Sequence, residues 1–102
     1  MDAVEPFLSL IIYPTTPDAQ VRQADNLGRL AAEKIRLLPG FLRGRIFVSE
    51  DGESIVSIVE WSDRHAFEQF RQSEFGQAAT LLLANLSPKA YWLRHHGALE
   101  AP

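Results

Sequence analysis

Residues 41–61 read FLRGRIFVSEDGESIVSIVEW. The first part alternates between two faces, with Leu42, Gly44, Ile46 and Val48 on one side and Phe41, Arg43, Arg45 and Phe47 on the other. Asp51-Gly52, a dipeptide typical of tight turns, separates it from a second β-rich segment, Ser54 to Trp61. The stretch therefore predicts two antiparallel strands, Phe41 to Ser49 and Ser54 to Trp61.

Upstream of this hairpin the pattern indicates a strand followed by a helix. Phe7 to Tyr13 is short, rich in β-formers and closed by Pro14. Thr16 precedes Pro17 and Asp18, which predicts an N-cap at Thr16. Apolar residues then recur at three and four positions from Val21 to Leu38, which predicts a helix that ends at Pro39-Gly40.

Downstream, a second helical segment is predicted to begin near Ser62-Asp63, and to continue from Ser73 to Leu86 after a break at Ser73 or Gly76. Lys89 to His96 is the last predicted strand. The order β-α-β-β-α-β is that of an α+β ferredoxin-like fold, a four-stranded antiparallel sheet with both helices on one face. We expect one domain over residues 1–102, with its core at about residues 7–96.

The first and third strands are apolar on both faces, which is typical of strands buried on both sides. Two helices cover only one face of such a sheet, so we expect a second copy of the chain to cover the other. We predict that the face without helices carries Phe7, Ser9, Ile11, Tyr13, Ile55, Ser57, Val59 and Trp61. The serines among these apolar side chains suit a lined cavity better than a dry interface.

Composition narrows the function classes. The 102 residues include no cysteine, 10 Lys+Arg and 13 Asp+Glu, for a net charge of −3. Absence of cysteine excludes disulfides, thiol nucleophiles and cysteine-based metal sites. Without a basic run we expect no nucleic-acid or membrane partner, and without a long apolar segment or a signal-peptide pattern we expect a cytoplasmic protein.

Several short motifs resemble the antibiotic biosynthesis monooxygenase domain of the dimeric α+β barrel superfamily. They are Pro39-Gly40-Phe41, Ser49-Glu50-Asp51-Gly52, Val59-Glu60-Trp61-Ser62, Ala66-Phe67-Glu68-Gln69-Phe70 and Ser73-Glu74-Phe75. The resemblance implies a homodimer and, in one branch, oxidation of polyketide phenols to quinones without a cofactor. The haem-degrading branch has a Trp and a His where this sequence has Phe70 and Thr80, so we expect no cofactor.

Cofactor-free oxygenation requires an electron-rich phenolate and donors that hold it in a dry pocket. We predict Trp61 as an aromatic wall, Ser57 and Ser9 as donors, and Arg45, ahead of Arg43, as the cation that stabilises the phenolate. Ser57 stands where the resemblance places an Asn. The remaining predicted substrate contacts are Phe47, Trp92 and Arg94.

Each of these residues also has a purely structural interpretation. Trp61 suits a dimer interface as well as a pocket, and Arg43 and Arg45 suit ion pairs near an edge strand. His95 and His96 are adjacent on a strand and point to opposite faces, so we expect no metal site. Two functions remain open: a small monooxygenase acting on an aromatic, polyketide-like compound, and a non-catalytic dimeric module that binds a small molecule.

Overall fold

The computed structural model describes residues 6–74, 76–78 and 86–102. Its elements follow the predicted order and are β1 (Phe7–Pro14), α1 (Gln20–Leu30), β2 (Phe41–Val48), β3 (Ser54–Trp61), α2 (Arg64–Gln72) and β4 (Lys89–Arg94). The strands form one sheet in the order β2-β3-β1-β4, with every neighbouring pair antiparallel. The ferredoxin-like α+β fold is thereby confirmed, and the sheet is not closed. No helix among these residues has the length and apolar character that crossing a bilayer requires.

The β2–β3 hairpin is fastened to α1 at its turn. Ser49 N donates to Ser54 O at 3.1 Å, which closes the predicted loop of residues 50–53. Gln20 is buried at the start of α1, and its Nε2 donates to the carbonyl oxygens of Ser49 at 3.0 Å and Ser54 at 2.9 Å. Each carbonyl already accepts a backbone hydrogen bond within the hairpin, Ser49 O from Gly52 N and Ser54 O from Ser49 N, so Gln20 adds a second bond that fastens α1 to the turn.

Asp51 organises the same turn. Its Oδ1 accepts a hydrogen bond from Ser49 Oγ at 2.6 Å and another from Glu53 N at 2.9 Å. Both bonds favour the ionised carboxyl and lower the pKa of Asp51. An aspartate three positions after the strand thus caps the turn with its own side chain.

The start and end of the first helix differ from the prediction. Thr16 is not a side-chain N-cap, because residues 17–19 form a turn and α1 begins only at Gln20. The Thr16 carbonyl instead accepts the Gln20 N–H at 2.9 Å. At the other end the α-helix stops at Leu30, and Ala31–Ile35 form a π-helix, so the regular helix is shorter than the pattern to Leu38 suggests.

The second helix begins as predicted. Asp63 is its N-cap and accepts a hydrogen bond from Ala66 N at 2.8 Å. The predicted break is at Ser73, where the backbone becomes extended and Ser73 Oγ donates to Phe70 O at 2.6 Å. Glu74 and residues 76–78 are helical again. The remainder of the predicted helix, which includes Thr80, lies outside the described residues.

The loop before β2 depends on a glycine. Gly40 has φ +84°, and a Cβ added there would lie 2.3 Å from Ala66 Cβ. Its carbonyl accepts the Ser62 N–H at 2.7 Å, which joins the loop to the end of β3. Glycine is therefore required at this position both for the left-handed backbone and for the close approach of α2.

The helices cover the face of the sheet that was predicted to be uncovered. The ring of Phe67, on α2, lies 5.1 Å from that of Phe7 and 6.2 Å from that of Trp61. Ile55 and Trp61 are each only 1% exposed within the chain. The prediction was wrong because alternation only divides the side chains of a strand between two faces. When both faces are apolar, alternation does not indicate which face packs against the helices.

The opposite side, which we call the open face, carries the other half of each strand. Its centre consists of Leu8, Leu10, Ile12, Val56 and Ile58, flanked by Arg43, Arg45 and Phe47 on β2, by Glu60 on β3 and by Lys89, Tyr91 and Leu93 on β4. Phe47 and Tyr91 are 41% and 49% exposed. Among the described residues an apolar surface without helix cover therefore exists, but it is made of different residues from those predicted.

A β-bulge changes the facing of one aromatic side chain. Phe41 pairs with Trp61 and Arg43 with Glu60, so Leu42 is an extra residue in β2. Phe41 consequently lies on the helix-covered face, its ring 5.9 Å from that of Trp61, and not beside Arg43 as simple alternation predicted.

Candidate functional site

Six aromatic rings meet between α2 and the end of the sheet. Trp61 contacts Phe41, Phe67 and Phe70, the last as a stacked pair with 5.3 Å between centroids. Phe67 also contacts Phe7 and, at 4.9 Å, Trp92. We call this set the aromatic cluster: Phe7, Phe41, Trp61, Phe67, Phe70 and Trp92. Pairs of this kind bury large apolar areas while holding their rings in defined orientations.

Trp61 carries an unsatisfied donor inside the cluster. The residue is 1% exposed, and its Nε1 has no hydrogen-bond partner among the described residues. A buried N–H without a partner costs about 1–3 kcal/mol, so native structures rarely retain one without a reason. A bound molecule with an oxygen atom at this point would remove that cost.

The two predicted serine donors lie on the same face as Trp61. Ser9 pairs with Val59 on one side and with Trp92 on the other, and it is 5% exposed. Ser57 pairs with Ile11 and is half-buried. Ser9 and Ser57 are thus diagonal neighbours on adjacent strands, about 7–8 Å apart by ordinary sheet geometry. Both are neutral groups that donate one hydrogen bond without needing a counter-ion.

The structure does not bring Arg45, Arg43 and Phe47 to Trp61 within one chain. All three lie on the open face, since Arg45 pairs with Ile58 and Phe47 with Val56. Arg43 Nη2 contacts Glu60 Oε1 at 2.8 Å, and the Arg45 guanidinium carbon is 4.9 Å from the centre of the Phe47 ring. The ion-pair interpretation therefore describes Arg43, and a phenolate beside Trp61 needs a different cation.

Trp92 and Arg94 do lie on the cluster's side of the sheet. Trp92 is opposite Ser9, and Arg94 is opposite Phe7. The alternative set from the same strand, Tyr91 and Leu93, faces the open side because it pairs with Leu10 and Leu8. The last strand therefore contributes the mixed aromatic and cationic set to the candidate site.

Two cations on α2 were missed from the sequence. The Arg71 guanidinium carbon lies 5.6 Å from the centre of the Trp92 ring, and that of Arg64 lies 5.9 Å from the centre of the Phe7 ring. Both arginines contact Glu68 Oε1, at 3.7 Å from Arg64 Nε and 4.0 Å from Arg71 Nη1. Arg64 lies three positions before Phe67 and Arg71 lies four positions after it. In a helix this spacing places both arginines on the same face as Phe67, and the sequence contained that signal.

Two cavities of moderate size lie outside the aromatic cluster. One, of about 490 Å³, is lined by Gly40, Ser62, His65, Ala66, Gln69 and Phe70 among others, and shares only Phe70 with the cluster. The other, of about 430 Å³, lies between α1 and β2. Neither cavity includes Trp61 in its lining. Their volumes therefore do not indicate whether Trp61 lines a ligand pocket or belongs to a packed core.

The remaining titratable and metal-binding groups have limited roles. Tyr13 is buried on the same face at the far end of β1, and burial raises its pKa to about 12. It is a neutral phenol at physiological pH and does not serve as a base. The part of the chain that the structure describes contains no group of three His, Asp or Glu side chains arranged to hold a metal ion.

Comparison with known proteins gives a consistent result. The family model described as antibiotic biosynthesis monooxygenase matches residues 7–80. Tetracenomycin-F1 monooxygenase of Streptomyces glaucescens is 28% identical over 61 residues, which are 60% of this chain and 54% of that protein. The chain thus aligns with about half the length of this curated relative.

Solved structures share the fold over nearly the whole chain. A monooxygenase from the gene ActVA-Orf6 of Streptomyces coelicolor, solved with the ligand nanaomycin D, is 26% identical with a TM-score of 0.77, and the match covers 99% of this chain and 96% of that one. SnoaB, a cofactor-independent oxygenase from Streptomyces nogalater, is 22% identical with a TM-score of 0.70, covering 98% of this chain and 99% of that one. The second likeness concerns the fold alone.

Proposed function

Because the chain belongs to the antibiotic biosynthesis monooxygenase family, we propose that it is a cofactor-independent monooxygenase acting on an aromatic, polyketide-like small molecule. The observation that carries the proposal is the buried Trp61, whose Nε1 has no partner among the described residues and whose ring is the centre of the aromatic cluster. Flat aromatic molecules suit a site lined by aromatic rings with a few polar donors.

The reaction class follows from what such a site supplies. A methylene carbon flanked by phenolic rings reacts with O₂ to give a carbonyl group and one water molecule. The carbon loses two hydrogens and four electrons, one oxygen atom stays on the carbon, and the other leaves as water. All four electrons come from the substrate, so the protein need only hold its electron-rich anion and keep water away.

Each group of the candidate site has a role in that task. Trp61 Nε1 and the hydroxyls of Ser9 and Ser57 donate hydrogen bonds to substrate oxygens. Aligned donors in a dry site stabilise the charge that develops there. The aromatic cluster excludes water and fixes the plane of the ring system. Arg94 takes over the cationic role that the sequence suggested for Arg45, because it lies on the correct face.

The open face supports a homodimer as the working assembly. Its five central side chains are all aliphatic, and Glu60, the one carboxylate that the described strands place on it, is already paired with Arg43. A second copy presents the same apolar surface and satisfies it symmetrically. Since the aromatic cluster is on the other side of the sheet, each subunit retains its own site.

The direct test is oxygen consumption by purified, metal-stripped protein with a panel of hydroxylated anthrones and naphthols. We expect uptake of one O₂ per product carbonyl with at least one compound, and its loss in a Ser57→Ala/Trp61→Phe double variant. Binding of several panel members without oxygen uptake would instead identify a non-catalytic binding module. No binding at all would refute the proposal.

A further inference from the structure

The turn of the β2–β3 hairpin contains the dipeptide of this sequence that rearranges most readily. Asp51-Gly52 is the only place in the 102 residues where Asp or Asn is followed by Gly. A glycine has no side chain to hinder attack of its amide nitrogen on the preceding carboxyl group, and its backbone reaches conformations closed to other residues. The sequence alone therefore marks this pair as chemically labile.

The rearrangement is a condensation followed by a hydrolysis. The Gly52 nitrogen bonds to Cγ of the protonated Asp51 carboxyl group, and a carboxyl oxygen leaves as water with the carboxyl proton and the amide proton. Water then adds to the resulting succinimide and breaks the bond between Gly52 N and the Asp51 carbonyl carbon. The product is isoaspartate, in which the chain runs through the former side-chain carbons. Water is released and taken up again, so no other reactant is required.

Both reacting groups are already engaged in the folded chain. Asp51 Oδ1 accepts hydrogen bonds from Ser49 Oγ at 2.6 Å and from Glu53 N at 2.9 Å. These bonds lower the pKa of Asp51 and favour the ionised carboxylate, which cannot release an oxygen as water. Gly52 N donates to Ser49 O at 3.1 Å, so the proton that it must release is held as well.

The turn that holds these groups is fixed on two sides. Gly52 is buried, and a Cβ added to it would lie 3.0 Å from Pro17 Cα, in the segment before α1. Ser49 Oγ also accepts the Ser54 N–H at 2.9 Å, and Gln20 donates to the Ser49 carbonyl at 3.0 Å. Ser49 therefore connects the carboxylate, the glycine amide and α1.

We propose that Asp51-Gly52 is a modification site at which isoaspartate forms when the turn opens, and that Ser49 keeps the pair unreacted in the folded chain. The inference is independent of the proposed function, because the turn lies at the opposite end of the hairpin from Trp61. Isoaspartate adds a methylene carbon to the backbone of a short, closed loop and removes the carboxylate from its hydrogen bonds. The modified chain should therefore be less stable.

The test measures isoaspartate at residue 51 by peptide mass spectrometry with electron-transfer fragmentation, after incubation at neutral pH. The unmodified chain is incubated folded in buffer and unfolded in guanidinium chloride. A hydrogen bond to a charged group corresponds to roughly a tenfold change in rate, so we expect formation to be at least about tenfold slower in the folded chain. Folded Ser49→Ala should react roughly tenfold faster than the folded unmodified chain.

Ser73→Ala is the matched control. Ser73 Oγ also donates to a backbone carbonyl, that of Phe70, and accepts a backbone N–H, that of Gly76, but it lies at the end of α2. This variant should leave the rate at residue 51 unchanged, and urea unfolding shows whether each variant is folded during the incubation. An equal acceleration in Ser73→Ala and Ser49→Ala, or none in Ser49→Ala, would overturn the inference.

The comparison of the folded and the unfolded unmodified chain needs no variant. Equal rates in those two states, or no isoaspartate in the unfolded chain, would also overturn the inference. The isoaspartate form, separated by ion exchange, should unfold at a lower urea concentration than the unmodified chain. An unchanged unfolding midpoint would contradict the role given to this turn.

Discussion

Arg45 and Trp61 extend from opposite faces of one sheet, although both belong to the β2–β3 hairpin. Arg45 is paired with Ile58 and faces the open side, whereas Trp61 is paired with Phe41 and is enclosed by α2. A charge changes the pKa of a neighbouring group strongly only within about 4–6 Å, and the thickness of the sheet separates these two side chains.

Arg45→Ala should therefore leave the pH dependence of turnover unchanged. Arg94→Ala, on the cluster's side, should reduce kcat/KM most below the free pKa of the substrate phenol, because it removes a charge that favours the phenolate. The measurement is kcat/KM against pH for both variants with a substrate found in the oxygen-uptake screen. A profile moved to higher pH in Arg45→Ala would contradict this assignment.

Trp61→Phe should separate stability from ligand binding. The variant loses no internal hydrogen bond among the described residues, and removing the unpartnered N–H offsets part of the cost of the smaller ring, so the fold should lose only about 1–2 kcal/mol of stability. Binding of an aromatic probe should weaken by about 1 kcal/mol, roughly fivefold, through loss of the Nε1 donor. Urea unfolding and probe titration measure the two effects. Trp92→Phe is the same change at a 42% exposed position and should destabilise the fold less.

Ile58→Lys should prevent self-association. Ile58 lies at the centre of the open face, between Leu10 on β1 and Arg45 on β2, so a second copy would bury the new ammonium group. Light scattering should give about twice 11.5 kDa for the unmodified chain and a lower mass for the variant. Leu37→Lys, at a 73% exposed position, should keep the larger mass. A stable monomer of the unmodified chain would remove the basis of this prediction.

Alkaline pH should destabilise the fold through Tyr13. Burial raises its pKa from 10 to about 12 in the folded state, so the unfolded chain releases this proton first. Its contribution is complete below pH 10 and is lost as the pH rises from 10 to 12, by about 2–3 kcal/mol in total. Urea unfolding at pH values from about 9 to about 12 should show a shallower decline in stability for Tyr13→Phe than for the unmodified chain. Parallel slopes would contradict the prediction.

Gly40→Ala should be strongly destabilising. The added Cβ would lie 2.3 Å from Ala66 Cβ and 2.9 Å from Ser62 Oγ, on a backbone with φ +84°. Combined strain and overpacking predict a loss of about 2–4 kcal/mol in the free energy of unfolding. Gly97→Ala, where a Cβ meets nothing within 4 Å, should be close to neutral. Similar melting temperatures for the two variants would refute the account of this loop.

The hairpin and the order of elements were predictable because their signals are local. Alternation, the Asp51-Gly52 turn and the helix start near Ser62-Asp63 each depend on a few residues, and the structure has all three, with Asp63 as the residue that caps the helix. The strand bounds agree within one residue for β2 and β3. The N-cap at Thr16 failed for a related reason: the local pattern did not reveal that residues 17–19 form a separate turn.

The composition of the site was less predictable because it depends on which face the helices cover. Ser9, Ser57 and Trp61 were predicted to share one face, and the pairing of β1 with β3 places them on one face. Arg45 was predicted to join these residues, but it belongs to β2, and the sequence alone does not fix how β2 pairs with β3. The bulge at Leu42 shows why, since one extra residue changes which side chains of β2 share a face with Trp61.

The alternation of β1 and β3 has a consequence for how such a protein can evolve. Odd-numbered positions of both strands face the aromatic cluster and even-numbered positions face the open side. Under the proposed function, a substitution at Ser57 would alter ligand preference while Ile58, its neighbour in the chain, would keep its place on the proposed dimer surface. Selection could then diversify substrates without affecting the proposed dimer, whereas inserting or deleting a single residue in either strand would exchange the two faces at once.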